Sequence, residues 1–137
     1  FSLSRDGMHL YYTVPESMNS DLRTLYYQRG TGAATELGSG LGYFYGGFAA
    51  SYDGQYCAFV ANMADELTEG DLFLYKAGGT PQPMGIASTI YAVGSDGRFH
   101  YGGNYYWDDD EMDEMGDLIW YDGERDTVTR RDVFLFY

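Results

Sequence analysis

The residue types best suited to chemistry stand side by side in Tyr105-Tyr106-Trp107-Asp108-Asp109-Asp110-Glu111-Met112-Asp113-Glu114, where six of the seven residues from Asp108 to Glu114 are carboxylates. Hard carboxylate oxygens are the donors that Ca2+ takes, roughly six to eight at a time. The EF-hand spacing fails, because no Gly fills the sixth loop position and no Glu the twelfth, and no metal is assigned. A solvated acidic loop held open by its own repulsion is the plainest alternative. A third reading is a partner site, with Tyr105, Tyr106 and Trp107 as anchors and Asp108, Asp109, Asp110 and Glu111 steering a basic peptide. Tyr and Trp beside Asp also suit a stacked sugar, and Tyr43-Phe44-Tyr45 would extend such a surface. Against this, rings in such number are needed to fill a core.

No other constellation is complete. His9 and His100 are the only histidines, each a few residues after an Asp-Gly pair. A His-based mechanism needs a positioned nucleophile and an orienting acid, and neither is identifiable. Gly38-Ser39-Gly40-Leu41-Gly42 and Gly78-Gly79 lack the Lys-Ser/Thr and helix of a phosphate cradle, so they read as turns. Cys57, the single cysteine, lies inside Tyr56-Cys57-Ala58-Phe59-Val60 and reads as a small buried hydrophobe. The expectation is a chain with no catalytic site and no cofactor.

A formal charge of −13 and a pI near 4.2 argue against nucleic acid or an anionic membrane surface as partner, since both carry the same sign. A basic protein is compatible. No apolar run approaches the eighteen or so residues of a membrane span, so no membrane insertion is expected. At 137 residues, 45% apolar and 18% aromatic, the chain can form one globular domain with a sizeable core. Nineteen Gly, fifteen Tyr and eight Phe against three Pro favour many short strands joined by tight turns.

A repeat must position these residues. Phe1-Ser2-Leu3-Ser4-Arg5-Asp6-Gly7, Phe48-Ala49-Ala50-Ser51-Tyr52-Asp53-Gly54 and Tyr91-Ala92-Val93-Gly94-Ser95-Asp96-Gly97 share one pattern, with the Asp-Gly pairs 47 and 43 residues apart. Each reads as a hairpin, because Asp bonds its side chain to the turn backbone and Gly accepts a positive φ. A second register supports the repeat. Asp6 to Thr24 and Asp53 to Asp71 both span 18 residues and Asp96 to Asp117 spans 21, and these positions open Thr24-Leu25-Tyr26-Tyr27, Asp71-Leu72-Phe73-Leu74 and Asp117-Leu118-Ile119-Trp120. The three extra residues fall in a long loop from Asn104 to Gly116, where insertion is tolerated. Strands continue after Arg29-Gly30-Thr31-Gly32, over 33–37, and after Ala77-Gly78-Gly79-Thr80, where Pro81 and Pro83 demand a sheet edge. Strand after strand is apolar on both faces, so with no helix to cover them the sheets must cover one another.

A large apolar residue, Ser-x-Asp-Gly, an apolar strand, a polar loop and then Asp-Leu-aromatic resemble the WD-like repeats of TolB-type β-propellers. Phe48, Ser51, Asp53, Gly54, Asp71, Leu72 and Tyr75 are the clearest matches. Thr24 replaces the Asp in the first unit, Gly94 the Ser in the third, and no Pro precedes Asp-Gly in any. The resemblance implies an all-β fold, a β-propeller segment of three four-stranded antiparallel blades over about residues 1–40, 41–87 and 88–137. Asp6, Gly7, Asp53, Gly54, Asp96 and Gly97 would form the structural turns, and the loops 14–20, 62–70 and 104–116 would share the opposite rim. It further implies protein recognition or scaffolding in an extracellular, periplasmic or cell-envelope setting. An accessory propeller of a serine peptidase and a glycan-binding module are the alternatives. Three blades do not close a ring, so either the chain is a segment of a longer propeller or two copies join to give six blades, and the end faces are expected to be open, apolar and prone to self-association.

Overall fold

The computed structural model describes residues 1–42, 47–63 and 68–136. These form twelve strands and, among the described residues, no helix. The first sheet holds β1 (Ser2–Leu3), β2 (His9–Pro15), β3 (Leu22–Arg29) and β4 (Thr35–Gly42). The middle sheet holds β5 (Phe48–Ala50), β6 (Tyr56–Ala61), β7 (Gly70–Lys76) and β8 (Gln82–Ala87), and the third β9 (Thr89–Val93), β10 (Phe99–Asp108), β11 (Asp113–Tyr121) and β12 (Asp126–Phe134). Each sheet is an antiparallel meander in chain order. The three sheets do not close on themselves.

The Asp-Gly turns are built from side chains as well as backbone. Asp6 Oδ1 accepts from the Ser4 hydroxyl at 2.6 Å and from Met8 N at 3.0 Å, while Ser4 Oγ accepts from His9 N at 3.0 Å. Ser51, Asp53, Gln55 and Tyr56 repeat this arrangement at 2.7, 3.1 and 3.0 Å. The Ser hydroxyl first, and the backbone N–H second, hold the Asp6 and Asp53 carboxyls below their ordinary range.

In the third turn Asp96 still accepts from Arg98 N at 3.0 Å, but Gly94 has no hydroxyl to offer. Gly94 N therefore pairs with the carbonyl of Arg98, whereas Ser4 and Ser51 reach one residue further, to His9 and Tyr56. The three turns are thus not in strict register as the spacing predicts, because the third is one residue tighter. That single residue reverses which side chains of the returning strand face which way.

The reversal matters because the sheets pack face to face. Cys57, Phe59 and Ala61 of β6 pack on Tyr11, Leu25 and Tyr27 of the first sheet. The alternate residues Ala58 and Val60 pack on Phe99, Tyr101 and Ile119 of the third. Both faces of β6 are dry, as its unbroken apolar run demands. Tyr11, Tyr27 and Tyr75 meet at 5.0 to 6.3 Å between ring centres across the first seam, and the Tyr11 hydroxyl donates to the Gly54 carbonyl at 2.8 Å.

Among the described residues, the two outward faces meet no further sheet. On the first sheet, Leu3 (54% exposed) pairs with Leu10, and Tyr12 stacks on Tyr26 at 5.5 Å. On the third, His100 lies against Trp120 at 4.4 Å beside Leu118, and Leu135 folds back so that its carbonyl accepts from the Tyr91 hydroxyl at 2.7 Å.

Three sequence expectations need correction. The stretch 104–116 is mostly strand, since β10 runs to Asp108 and β11 begins at Asp113. Its β-propensity supplies the reason, three aromatics in a row outweighing the charges beyond them. The fourth strand of the first sheet is longer than 33–37 and takes in Gly38 to Gly42, so these glycines are not turns. Gly38 is needed where it is because a Cβ there would stand 2.7 Å from the Phe59 ring. The C-terminal run completes the third sheet as β12. The chain end Tyr137, the aromatic stretch Tyr43-Phe44-Tyr45 and residues 64–67 of the second loop lie outside the described residues. As the prolines require, β8 is an edge strand, outermost in its sheet.

Candidate functional site

The predicted recognition residues lie on a hairpin that grows out of the third sheet. Its base is set by an Asn–Asp pair. Gly103 opposes Asp117 as the last regular step of the ladder, Asn104 then takes φ 51°, and pairing resumes at Tyr106 opposite Met115. Asn104 Nδ2 donates to Asp117 Oδ2 at 2.8 Å. The middle sheet has the same device at the same place, with Asn62 at φ 54° donating to Asp71 at 2.9 Å. In the first sheet Pro15 and Thr24 stand there instead, and the ladder runs on without a bulge. The missing Asp at Thr24 is therefore one half of a paired change, since its Asn is missing too.

Asp117 does more than Asp71. It is 6% exposed and also receives Asp132 N at 3.4 Å and Arg131 Nη1 at 3.5 Å, so it ties β10 and β12 to its own strand. The Tyr106 hydroxyl donates to Asp132 at 2.7 Å, and that bond, ahead of burial, pushes its pKa up to about 12. Tyr105 is half-buried with its hydroxyl on Glu114, whose carboxyl is raised first by burial and then by the neighbouring Asp113. Asp117 stands out in the sequence only as the residue that opens its strand, and Asn104, Arg131 and Asp132 do not stand out. The repeated Asn-to-Asp pairing, nine residues apart at Asn62/Asp71 and thirteen at Asn104/Asp117, is the signal that finds Asn104.

Beyond the base, Trp107 opposes Glu114 and Asp108 opposes Asp113. Asp108 Oδ1 caps the tip by accepting from Asp110 N at 2.8 Å and Glu111 N at 2.9 Å, and Asp113 accepts from Glu114 N. Two carboxylates of the acidic run thus act as turn-builders. Asp109, Asp110 and Glu111 remain exposed at the tip, with Trp107 at 49% and Tyr106 at 38% exposure below them. Among the described residues no three His, Cys, Asp or Glu side chains converge as a metal site.

The two histidines lie on the corresponding side of their sheets, which a neighbouring sheet covers only for His9. His9 is buried at the first seam, with Nδ1 at 2.8 Å from the Tyr27 hydroxyl and Nε2 at 3.2 Å from the Gln55 amide, so both nitrogens are engaged. His100 is on the open face of the third sheet. Cys57 is fully buried and burial pushes its thiol pKa up, which leaves it in the unreactive form. No helix among the described residues is long and apolar enough to cross a membrane. No protein-family model, no curated protein and no solved structure matches the chain.

Proposed function

We propose that the chain is a β-propeller segment of the TolB-type, WD-like kind, and that it works by non-catalytic recognition of a protein bearing basic residues. The β10–β11 hairpin is the recognition element. One observation carries the reading: two half-exposed aromatics, Trp107 and Tyr106, stand next to the exposed carboxylates Asp109, Asp110 and Glu111. Aromatic side chains of this kind supply most of the energy at protein interfaces, and like charges clustered beside them set partner choice and encounter rate. The tethers at Tyr105, Tyr106 and Asp117 support it further, since a pre-set hairpin loses little entropy on binding. Three meanders stacked face to face with recurring Asp-Gly turns favour the propeller assignment, and an extracellular, periplasmic or envelope location follows from that resemblance.

Titration with a lysine-rich peptide containing one aromatic residue tests this by calorimetry. Trp107→Ala is expected to weaken binding by about tenfold or more, as loss of a hot-spot residue does. The triple neutralisation Asp109→Asn, Asp110→Asn, Glu111→Gln is expected to remove most of the salt dependence. Equal affinity of both variants and the parent would sink the proposal.

A further inference from the structure

The two seams inside the chain are one contact made twice. The middle sheet lays Gly54 on His9, so close that a Cβ added there would stand 2.4 Å from the His9 Cβ. The third sheet lays Gly97 on Tyr56, where a Cβ would come within 2.9 Å of the ring. His9, Tyr56 and Arg98 are the same position in their sheets, since each gives its carbonyl to the first residue of its turn, Ser4, Ser51 or Gly94. The third sheet therefore carries an unused receiving position, Arg98. The first sheet carries an unused presenting one, Gly7, whose added Cβ would meet nothing within 4 Å.

The next residues of each outward face follow suit, up to Gly102 and Gly116, where Leu135 covers the third sheet. Leu118 and Trp120 occupy the positions that Leu25 and Tyr27 fill at the first seam, and Leu10 and Tyr12 those that Cys57 and Phe59 fill from the other side. A cation also recurs, in a different place. At each internal seam a cation flanks the receiving position and an Asp arrives with the Gly: Arg29 opposite His9 meets the Asp53 turn, and Lys76 opposite Tyr56 meets the Asp96 turn. At the open receiving edge the cation is Arg98 itself, its side chain 54% exposed and 3.5 Å from its own Asp96, and the open presenting edge offers the exposed Asp6.

We propose that a second copy of this chain seats its first sheet on the third sheet of the first copy, with Gly7 over Arg98 and Asp6 beside the guanidinium, in the register used within the chain. The contact is head-to-tail, so each copy uses a different face. Two copies bring six sheets together, within the roughly four to eight of closed sheet rings.

Sedimentation of the 137-residue chain, at an ionic strength where charges beyond about 8 Å are screened, tests the proposal. The parent is expected to associate, while Leu10→Lys and Leu118→Lys, each blocking one face, are expected to run as monomers alone and as a one-to-one pair when mixed. Gly7→Asn is the second variant, because Asn tolerates a positive φ and the site is open within one chain. It is expected to weaken association about tenfold without moving the melting temperature. A monomeric parent, association by either lysine variant alone, failure of the mixture to pair, or unchanged association of Gly7→Asn would each overturn it.

Discussion

Removing the Asp117 carboxylate should cost far more than removing its counterpart Asp71, although the two open equivalent strands. Asp71 is exposed and holds one side chain, Asn62, so Asp71→Ala should cost about 0.5–1 kcal/mol, as exposed polar contacts do. Asp117 is nearly buried and accepts from Asn104, Arg131 and Asp132 N. Only the Asn104 bond is short. It is worth about 1.5–3 kcal/mol as a bond to a charged group, and the stranded donors add about 1 kcal/mol more. The total for Asp117→Ala is then about 2–4 kcal/mol, or about 10 °C in melting temperature for a domain of this size. Arg131→Ala should cost under about 1 kcal/mol, because its side chain is 72% exposed and its contact is 3.5 Å long. Thermal melts of the three variants give the ranking, and amide exchange locates the damage. The amides of Tyr106 to Asp108 and of Asp113 to Met115 should lose protection in Asp117→Ala alone. If Asp117→Ala melts with Asp71→Ala and the hairpin amides stay protected, then Asp117 does not set the hairpin's direction.

Three further outcomes are expected. Ser51→Ala removes the acceptor for Tyr56 N and one partner of Asp53, and urea unfolding should show a loss of about 1–2 kcal/mol; Gly94→Ser should bring no matching gain, because its added Cβ would sit 2.9 Å from Asp96 Oδ1. Asp6, Asp53 and Asp122 have depressed carboxyl pKa values, so folding favours their charged form: their stabilisation is present above the unfolded value of about 4 and is lost as pH falls through the folded values. The raised Glu114 has the opposite sign. Stability should therefore drop below about pH 4, with a shallower acid limb in Ser4→Ala/Ser51→Ala, and an unchanged limb would contradict the turn chemistry. Cys57 should resist maleimide in the native chain and react fully in urea; fast native labelling would mean that the seam between the first and middle sheets opens readily.

Much of this architecture is legible in the sequence because local chemistry specifies it. The Asp-Gly turns, the antiparallel meanders and the doubly buried β6 follow from Asp6, Asp53, Asp96 and the run from Tyr56 to Val60 without any distant contact. What escapes notice depends on partners far along the chain. Gly38 looks like a turn residue until Phe59 occupies the space above it, and Gly94 looks like a harmless exchange for Ser until the lost hydroxyl shortens the hairpin. The acidic run gives no hint that Asp108 and Asp113 are spent on their own turn, nor that Asp117 and Asp132 anchor it. Side-chain roles set by a third strand are beyond any window of neighbouring residues.

The doubly covered strand β6 also limits how the molecule can be trimmed. A piece ending at residue 87 would turn Ala58, Val60 and Leu72 towards water, and one starting at residue 48 would do the same to Cys57, Phe59 and Ala61. Either cut removes apolar cover from the best-packed part of the protein while leaving its backbone ladder intact. Loss of one outer sheet would accordingly be felt at the centre first, and the three sheets should melt as one cooperative block rather than peel away one at a time.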